Sequence, residues 1–246
     1  MALSRQSRRG LARVLLLAWL GAALLGCASR TALSTEDREA LLRELRGQSR
    51  DRYLRVSYYV TSFFGDGNKK LLTPVPPEEV QFSTDFGGPS GSPGPVEQVL
   101  PAGRHGRILK VEFPTAWAMA NRLPNTPREH PWIYLHAERQ SGGLPLILVL
   151  PTEIQSREDF ESELERYLSP IDPTALMSDW SEGIREAVRT KNAVVDMPTD
   201  ALEMAWGYPE RKRIFFEEAT SKEEWSYPGG KRVAFIADGR VTRVVR

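Results

Sequence analysis

The spacing of apolar residues divides the chain into regions of different predicted structure. Residues 53–64 are rich in β-branched and aromatic side chains, residues 107–113 and 132–138 alternate in type, and residues 144–150 are continuously apolar. Runs of this kind predict strands, and the last run predicts a strand buried on both faces. Turns rich in Gly and Pro separate them, and we expect no helix of note between residues 53 and 151. The pattern therefore predicts a small β-barrel or sandwich over residues 50–152.

The passage over residues 73–95 is rich in proline and glycine. Proline has no N–H to donate to a sheet. This passage is therefore expected to be an extended loop, with at most one short strand over residues 80–82.

The apolar period becomes helical at Ser156 and returns to strand-like after residue 210. Ser156 and Asp159 approximate a capping box for a first helix, Ser178 is the expected cap of a second, and a third runs from Thr199 to a stop at Gly207. Four strands are predicted in the tail, over residues 211–217, 222–227, 231–237 and 240–245. Residues 238–239 are Asp-Gly, a strong hairpin signal. Residues 153–246 are thus predicted to form a helical pair followed by an antiparallel meander.

The first 26 residues have the features of a secretory signal. Four arginines and no acidic residue precede an apolar run over residues 14–25, which is shorter than the roughly 20 residues that span a bilayer. The end of this run, Leu24-Leu25-Gly26-Cys27, resembles the lipobox of bacterial lipoproteins. The resemblance implies cleavage before Cys27 and lipid attachment to it, and Ala28 then implies the periplasmic face of the outer membrane.

Two alternatives remain open at this terminus. Cys27 is a free thiol if the leader is cut elsewhere or not at all, and Arg8-Arg9 leaves both the general and the twin-arginine export routes open. Residues 27–49 are interpreted as a tether with a short helix capped by Ser34 or Thr35.

Composition narrows the classes of function. Loss of residues 1–26 removes four of the 33 basic residues and none of the 32 acidic ones, which leaves a net charge of −3 on 220 residues. This balance does not favour nucleic-acid binding. The single cysteine excludes an intramolecular disulfide, and His105, His130 and His136 lack metal-ligand spacing.

No motif marks a nucleophile or a carboxylate pair, so we predict a non-enzymatic protein without metal or cofactor. His105 is expected in a turn, and His136 is expected in a strand with its hydrogen bonds satisfied.

Two segments resemble known families. Leu-Pro-Ala-Gly (100–103), followed by an alternating strand, resembles the central hairpin of bacterial SH3-like domains. A second resemblance, to the SmpA/OmlA family of outer-membrane lipoproteins, is carried by Met-Pro-Thr (197–199), Ala-Trp-Gly-Tyr-Pro (205–209), Glu-Trp-Ser-Tyr-Pro (224–228) and Val-Ala-Phe-Ile-Ala-Asp-Gly-Arg-Val (233–241). Asp196 and Trp206 depart from that family, which usually has Gly and often has Leu there. The fold class implied is α+β, with a small SH3-like β-barrel followed by an SmpA/OmlA-like helix-helix-meander module.

From these features we expect the protein to be a membrane-anchored binding or scaffold module at the outer membrane. We expect it to bind a protein partner in the envelope. The alternatives are a peptidoglycan-binding lipoprotein and, less favoured, a cell-wall hydrolase. Trp117, Met119 and Arg122 form the candidate partner-contact patch, because an exposed aromatic with neighbouring long side chains is typical of contact surfaces. Core packing is the favoured alternative for Trp117, as it is for Trp180, Trp206 and Trp225.

Overall fold

A computed structural model describes residues 33–47, 50–82, 91–217 and 220–246. The predicted signal, Cys27 and the tether before residue 33 lie outside the described residues. The helices are α1 (Thr35–Gly47), α2 (Ala116–Asn121), α3 (Arg157–Tyr167), α4 (Glu182–Arg189) and α5 (Thr199–Trp206), and 3₁₀ turns cover Pro77–Glu79 and Pro173–Met177. The strands are β1 (Asp51–Leu54), β2 (Tyr58–Phe63), β3 (Asp66–Thr73), β4 (Val96–Leu100), β5 (His105–Glu112), β6 (Trp132–Ala137), β7 (Leu146–Val149), β8 (Leu168–Ser169), β9 (Arg211–Glu217), β10 (Thr220–Ser226), β11 (Val233–Ala237) and β12 (Arg240–Val245).

The first eight strands form one mixed sheet in the order β4-β2-β3-β7-β6-β5-β1-β8. All of its pairs are antiparallel except β3 with β7. The predicted strands over residues 107–113, 132–138 and 144–150 are confirmed as β5, β6 and β7. The α+β class is confirmed, with a larger first sheet than a small barrel.

This sheet must curl strongly. Five strand spacings of about 4.8 Å, roughly 24 Å in a flat sheet, separate β1 from β2. The chain from Leu54 to Tyr58 reaches at most about 14 Å. Five strand spacings also separate β4 from β5, but the chain from Leu100 to His105 that connects them reaches at most about 18 Å. The sheet therefore bends toward a barrel.

The prediction of one continuous strand over residues 53–64 is wrong, because the chain leaves the sheet at residues 55–57. Arg55 donates its N–H to Tyr167 O at 3.0 Å, and Ser57 donates its N–H to Met204 O at 2.7 Å. Distant segments thus replace the sheet partners of these residues. Gly65, Asp66, Gly67 and Asn68 predict a turn after this run, but the turn is at Phe64-Gly65, where both φ angles are positive, at 47° and 82°.

The Pro-Gly segment makes a tight turn but does not close a hairpin. Arg104 N donates to Pro101 O at 3.2 Å, and Gly103 has a φ of 79°. The flanking strands pair elsewhere, β4 with β2 and β5 with β1 and β6. A Cβ at Gly103 would lie 2.1 Å from Cγ2 of Thr174, so glycine also allows this turn to approach the C-terminal half closely.

In the predicted loop over residues 73–95, the described residues contain a 3₁₀ turn and no strand at residues 80–82.

A short helix that the pattern did not indicate, α2, follows β5. Thr115 caps it by accepting a hydrogen bond from Ala118 N at 3.1 Å.

The capping box of α3 is confirmed: Ser156 Oγ accepts from Asp159 N, and Asp159 accepts in return from Ser156 N. The predicted cap of the second helix is wrong. Ser178 ends the 3₁₀ turn by donating its N–H to Ala175 O, and the helix restarts at Ser181, whose hydroxyl accepts from Ile184 N. The third helix runs from Thr199 to Trp206 with Pro198 as its N-cap, and Gly207 ends it with a φ of 82°.

The predicted four-stranded meander is confirmed, in the order β12-β11-β10-β9. Asp238 and Gly239 both have positive φ, at 52° and 71°, as the hairpin turn requires. One core cluster joins α4 and α5 to this sheet, and it includes Val188, Met197, Trp206, Trp225 and Tyr227.

The core of the large sheet draws on segments at both ends of the chain. Phe160 and Leu164 from α3 are buried in it, and Leu33 and Leu41 show that α1 docks on it. The boundary between residues 152 and 153 stays a prediction, although α3 and β8 pack with the first sheet. Within the described ranges, none of the helices combines the length and apolar content that crossing a bilayer requires.

Candidate protein-contact surface around Trp117

Trp117 projects from the molecule with 77% of its surface exposed. Its predicted place in a core is therefore wrong. Trp206 and Trp225 are buried as predicted, and Trp180 is half-buried against the same core. Leu123, just beyond α2, is also exposed. We define the Trp117 surface as the exposed side of α2 together with Leu123.

Local hydrogen bonds hold the backbone under Trp117. Asn121 Nδ2 donates to Trp117 O at 2.7 Å, and the Thr115 cap fixes the first turn of the helix. Ala118 is buried beneath the helix. Met119 is half-buried, and its carbonyl oxygen accepts from Arg128 Nε at 2.9 Å. The indole is thus presented by a short but well-anchored segment.

Arg122 lies inside the protein beneath this surface. Its guanidinium carbon is 3.7 Å from the centre of the Trp132 ring, and its Nε is 2.9 Å from Glu112 Oε1. Its Nη1 donates to Arg128 O at 2.5 Å and to His130 O at 2.7 Å. Arg122 therefore ties the loop after α2 to the sheet, and the structure does not bring Trp117, Met119 and Arg122 together as one exposed patch.

The Arg122–Glu112 pair perturbs both partners. Burial lowers the pKa of Arg122, and the Glu112 carboxylate opposes this shift. Burial also acts to raise the pKa of Glu112, but the hydrogen bond from Lys110 and the charge of Arg122 outweigh it, so the pKa of Glu112 lies below its ordinary value. Glu112 is consequently ionised at neutral pH and supports the buried guanidinium.

The histidines have local partners. His105 begins β5 rather than lying in a turn, between Asp51 Oδ1 at 3.5 Å and Glu138 Oε1 at 3.4 Å. His136 lies in β6 as predicted, with its Nδ1 3.1 Å from Gln140 Nε2. Among the described residues, no group of three or more His, Cys, Asp or Glu is placed to hold a metal ion.

A buried polar cluster that the sequence did not indicate joins the break between β1 and β2 to α4 and α5, and we call it the Ser57 junction. Ser57 Oγ donates to Val188 O at 2.7 Å and accepts from Ala102 N at 3.0 Å. Ser57 O accepts from Lys191 Nζ at 2.6 Å, and the same amine donates to Ala205 O at 2.7 Å. Every polar group of Ser57 is thereby engaged.

Lys191 is buried in this cluster, with 3% of its surface exposed. Burial, and secondarily the charge of Arg232, lower the pKa of Lys191 well below its ordinary value. Its two described hydrogen-bond acceptors are both backbone carbonyl oxygens. The amine is enclosed, so its role is to connect α5 with the break between β1 and β2. No periodicity could have indicated it, because its partners are distant in sequence.

Comparison of the chain with protein-family models, with curated proteins and with solved structures finds no match.

Proposed function

We propose that the chain is a lipoprotein anchored through Cys27 to the periplasmic face of the outer membrane, and that it acts there as a non-enzymatic binding or scaffold module. The N-terminal pattern of arginines, apolar run and lipobox-like Leu-Leu-Gly-Cys supports the anchoring. We propose that the Trp117 surface contacts a protein partner in the envelope.

One observation carries the binding role. Trp117 is the most exposed tryptophan in the described chain, at 77%, while Arg122 and its buried partners fix the segment beneath it. Aromatic residues on rigid supports dominate protein–protein contacts, because little conformational entropy is lost when they bind. An exposed indole does not improve solubility, so its exposure supports a role in contacting a partner.

We also propose the finer fold assignments. The curl of the large sheet supports an SH3-like relationship for residues 50–152, and the succession of α4, α5 and an antiparallel meander supports an SmpA/OmlA-like relationship for residues 153–246. Both assignments concern architecture and identify no partner.

Chemical cross-linking in intact cells tests the contact surface. We expect Trp117→Ala to lose the cross-linked species that the unaltered protein forms, because the anchor side chain is removed. Ile171→Ala is the matched control, since Ile171 is equally exposed, at 76%, but lies elsewhere. Equal cross-linking by both variants, or retention on purified cell wall without any protein partner, would contradict the proposed contact. Cys27→Ser should abolish incorporation of labelled fatty acid.

A further inference from the structure

A basic cleft of about 420 Å³ lies beside the turn between β4 and β5. Its lining includes four arginines, Arg104, Arg139, Arg185 and Arg189, and no acidic side chain among the residues that the structure describes. Pro101, Ala102 and Met177 add an apolar wall. A concave site with convergent charged groups and an apolar wall is typical of small-ligand recognition.

The charges of this cleft are only half compensated. Arg185 Nε donates to Glu182 Oε2 at 2.9 Å, and Arg189 Nη1 lies 2.8 Å from both Glu182 Oε1 and Glu186 Oε2. These two arginines and two glutamates balance one another.

Arg104 and Arg139 have no ion pair within the described part of the chain, and Arg104 Nε is buried without a hydrogen-bond partner there. Two positive charges are therefore left for a ligand to neutralise. An anion held by both guanidinium groups would supply the counter-charge that these two arginines lack.

The backbone beneath both unpaired arginines is held in place. Gly103 N donates to Leu54 O at 2.7 Å, which pins the turn before Arg104. Gln98 Nε2 donates to Arg139 O at 2.8 Å, and Gln98 Oε1 accepts from Ser141 N at 2.7 Å. Fixed backbones reduce the ordering that ligand binding requires.

A second cleft of about 530 Å³ adjoins the first and shares Arg104 and Thr174 with it. It adds Tyr53, Glu138 and Asp172, whose oxygen atoms can exchange hydrogen bonds with ligand hydroxyl groups. The combined groove thus has a cationic end and a polar, acidic end.

We propose that this groove binds a phosphate ester of a polyol or sugar. The phosphate lies between Arg104 and Arg139, because a guanidinium matches phosphate in a bidentate geometry. The hydroxyl-bearing part extends toward Glu138 and Asp172. The same chemistry occurs in a free sugar or glycerol phosphate and in a phospholipid headgroup.

Calorimetric titration of the full chain in detergent tests this inference. The probes are glycerol 3-phosphate for the free source and dihexanoyl phosphatidylglycerol, whose headgroup keeps two free hydroxyl groups, for the lipid headgroup, with inorganic phosphate and glycerol as reference ligands. The test variant is Arg104→Gln/Arg139→Gln. The control, Arg43→Gln/Arg107→Gln, removes two exposed charges outside the cleft. Arg139→Gln alone serves if the double variant unfolds, since Arg139 is exposed.

We expect saturable binding of at least one ester, tighter than that of inorganic phosphate or glycerol. Affinity should fall about tenfold or more in the cleft double variant, and less than about twofold in the control. Binding of the lipid probe alone identifies a headgroup, and binding of glycerol 3-phosphate identifies a free source. No saturable binding of either ester, equal affinity for inorganic phosphate, or equal loss in both double variants would overturn the inference.

Discussion

Ser57→Ala is expected to destabilise the whole fold, because one hydroxyl links three distant segments. Ser57 lies between β1 and β2 with none of its surface exposed. Its hydroxyl joins Ala102, in the turn beside the basic cleft, to Val188 at the end of α4. The substitution removes only the hydroxyl oxygen and keeps the backbone hydrogen bonds to Met204 O and Lys191 Nζ.

The two hydroxyl contacts have unequal consequences. Val188 O keeps a second hydrogen bond, from Lys191 N at 3.2 Å, so losing Ser57 there costs about 0.5–1.5 kcal/mol. Ala102 N is buried and has no other described acceptor. Leaving such a donor unsatisfied costs about 1–3 kcal/mol. The expected loss in the free energy of unfolding is therefore about 1.5–4.5 kcal/mol, a large part of the stability of a typical domain.

Equilibrium urea unfolding, followed by tryptophan fluorescence, measures this loss. With an m value of about 3 kcal/mol/M, the midpoint should fall by about 1 M. Ser62→Ala is the matched control, since the described hydrogen bond of that hydroxyl is a long one, at 3.4 Å, to the exposed Glu97, and its effect should stay within about 0.5 kcal/mol. A loss below about 1 kcal/mol for Ser57→Ala would refute the unsatisfied-donor argument.

Two further variants test the buried basic side chains of Lys191 and Arg122. Between the lowered pKa of folded Lys191 and the ordinary value of 10.5, the unfolded chain binds more protons, so the free energy of unfolding rises with pH by at most about 1.4 kcal/mol per unit. Lys191→Met should lack this rise when urea unfolding is measured from about pH 7.5 to 9.5. The exposed control Lys212→Met should keep it. Parallel pH dependence of the unaltered protein and both variants would contradict the lowered pKa of Lys191. Arg122→Gln leaves Glu112 without its buried partner and should cost about 2–3 kcal/mol, less than for a fully buried pair because Glu112 is partly exposed. Hydrogen exchange should accelerate over residues 115–130 in Arg122→Gln but not in the exposed control Arg107→Gln, and unchanged exchange in both would count against the supporting role.

Local patterns predicted the elements whose partners are near in sequence. The meander of β9–β12 follows from short alternating runs and from the Asp238-Gly239 turn, and the start of α3 follows from Ser156 and Asp159. These features depend on interactions between residues only a few positions apart or on adjacent strands. The same logic failed for the second helix, because the 3₁₀ turn before it shifted the cap from Ser178 to Ser181.

The candidate surface was only partly predictable. Residue type and loop context single out Trp117, but its exposure depends on where α2 docks. Proximity in sequence groups Arg122 with it, yet the Arg122 side chain turns inward to Glu112 and Trp132. The cleft lined by four arginines leaves no trace in any local pattern, since these residues come from three separate segments.

The sequence by itself determined the strand and helix periods, the turns of the C-terminal meander and the signal-like N-terminal pattern. The tertiary structure alone decided that residues 53–64 split into two strands, that Lys191 is enclosed and that Trp117 is exposed. The physical reason is the distance along the chain between the interacting groups: Ser57 lies 131 residues from its acceptor on Val188 and 134 from Lys191. Hydrogen bonds over such separations form only when the complete fold brings both groups together, and periodicity within one segment contains no record of them.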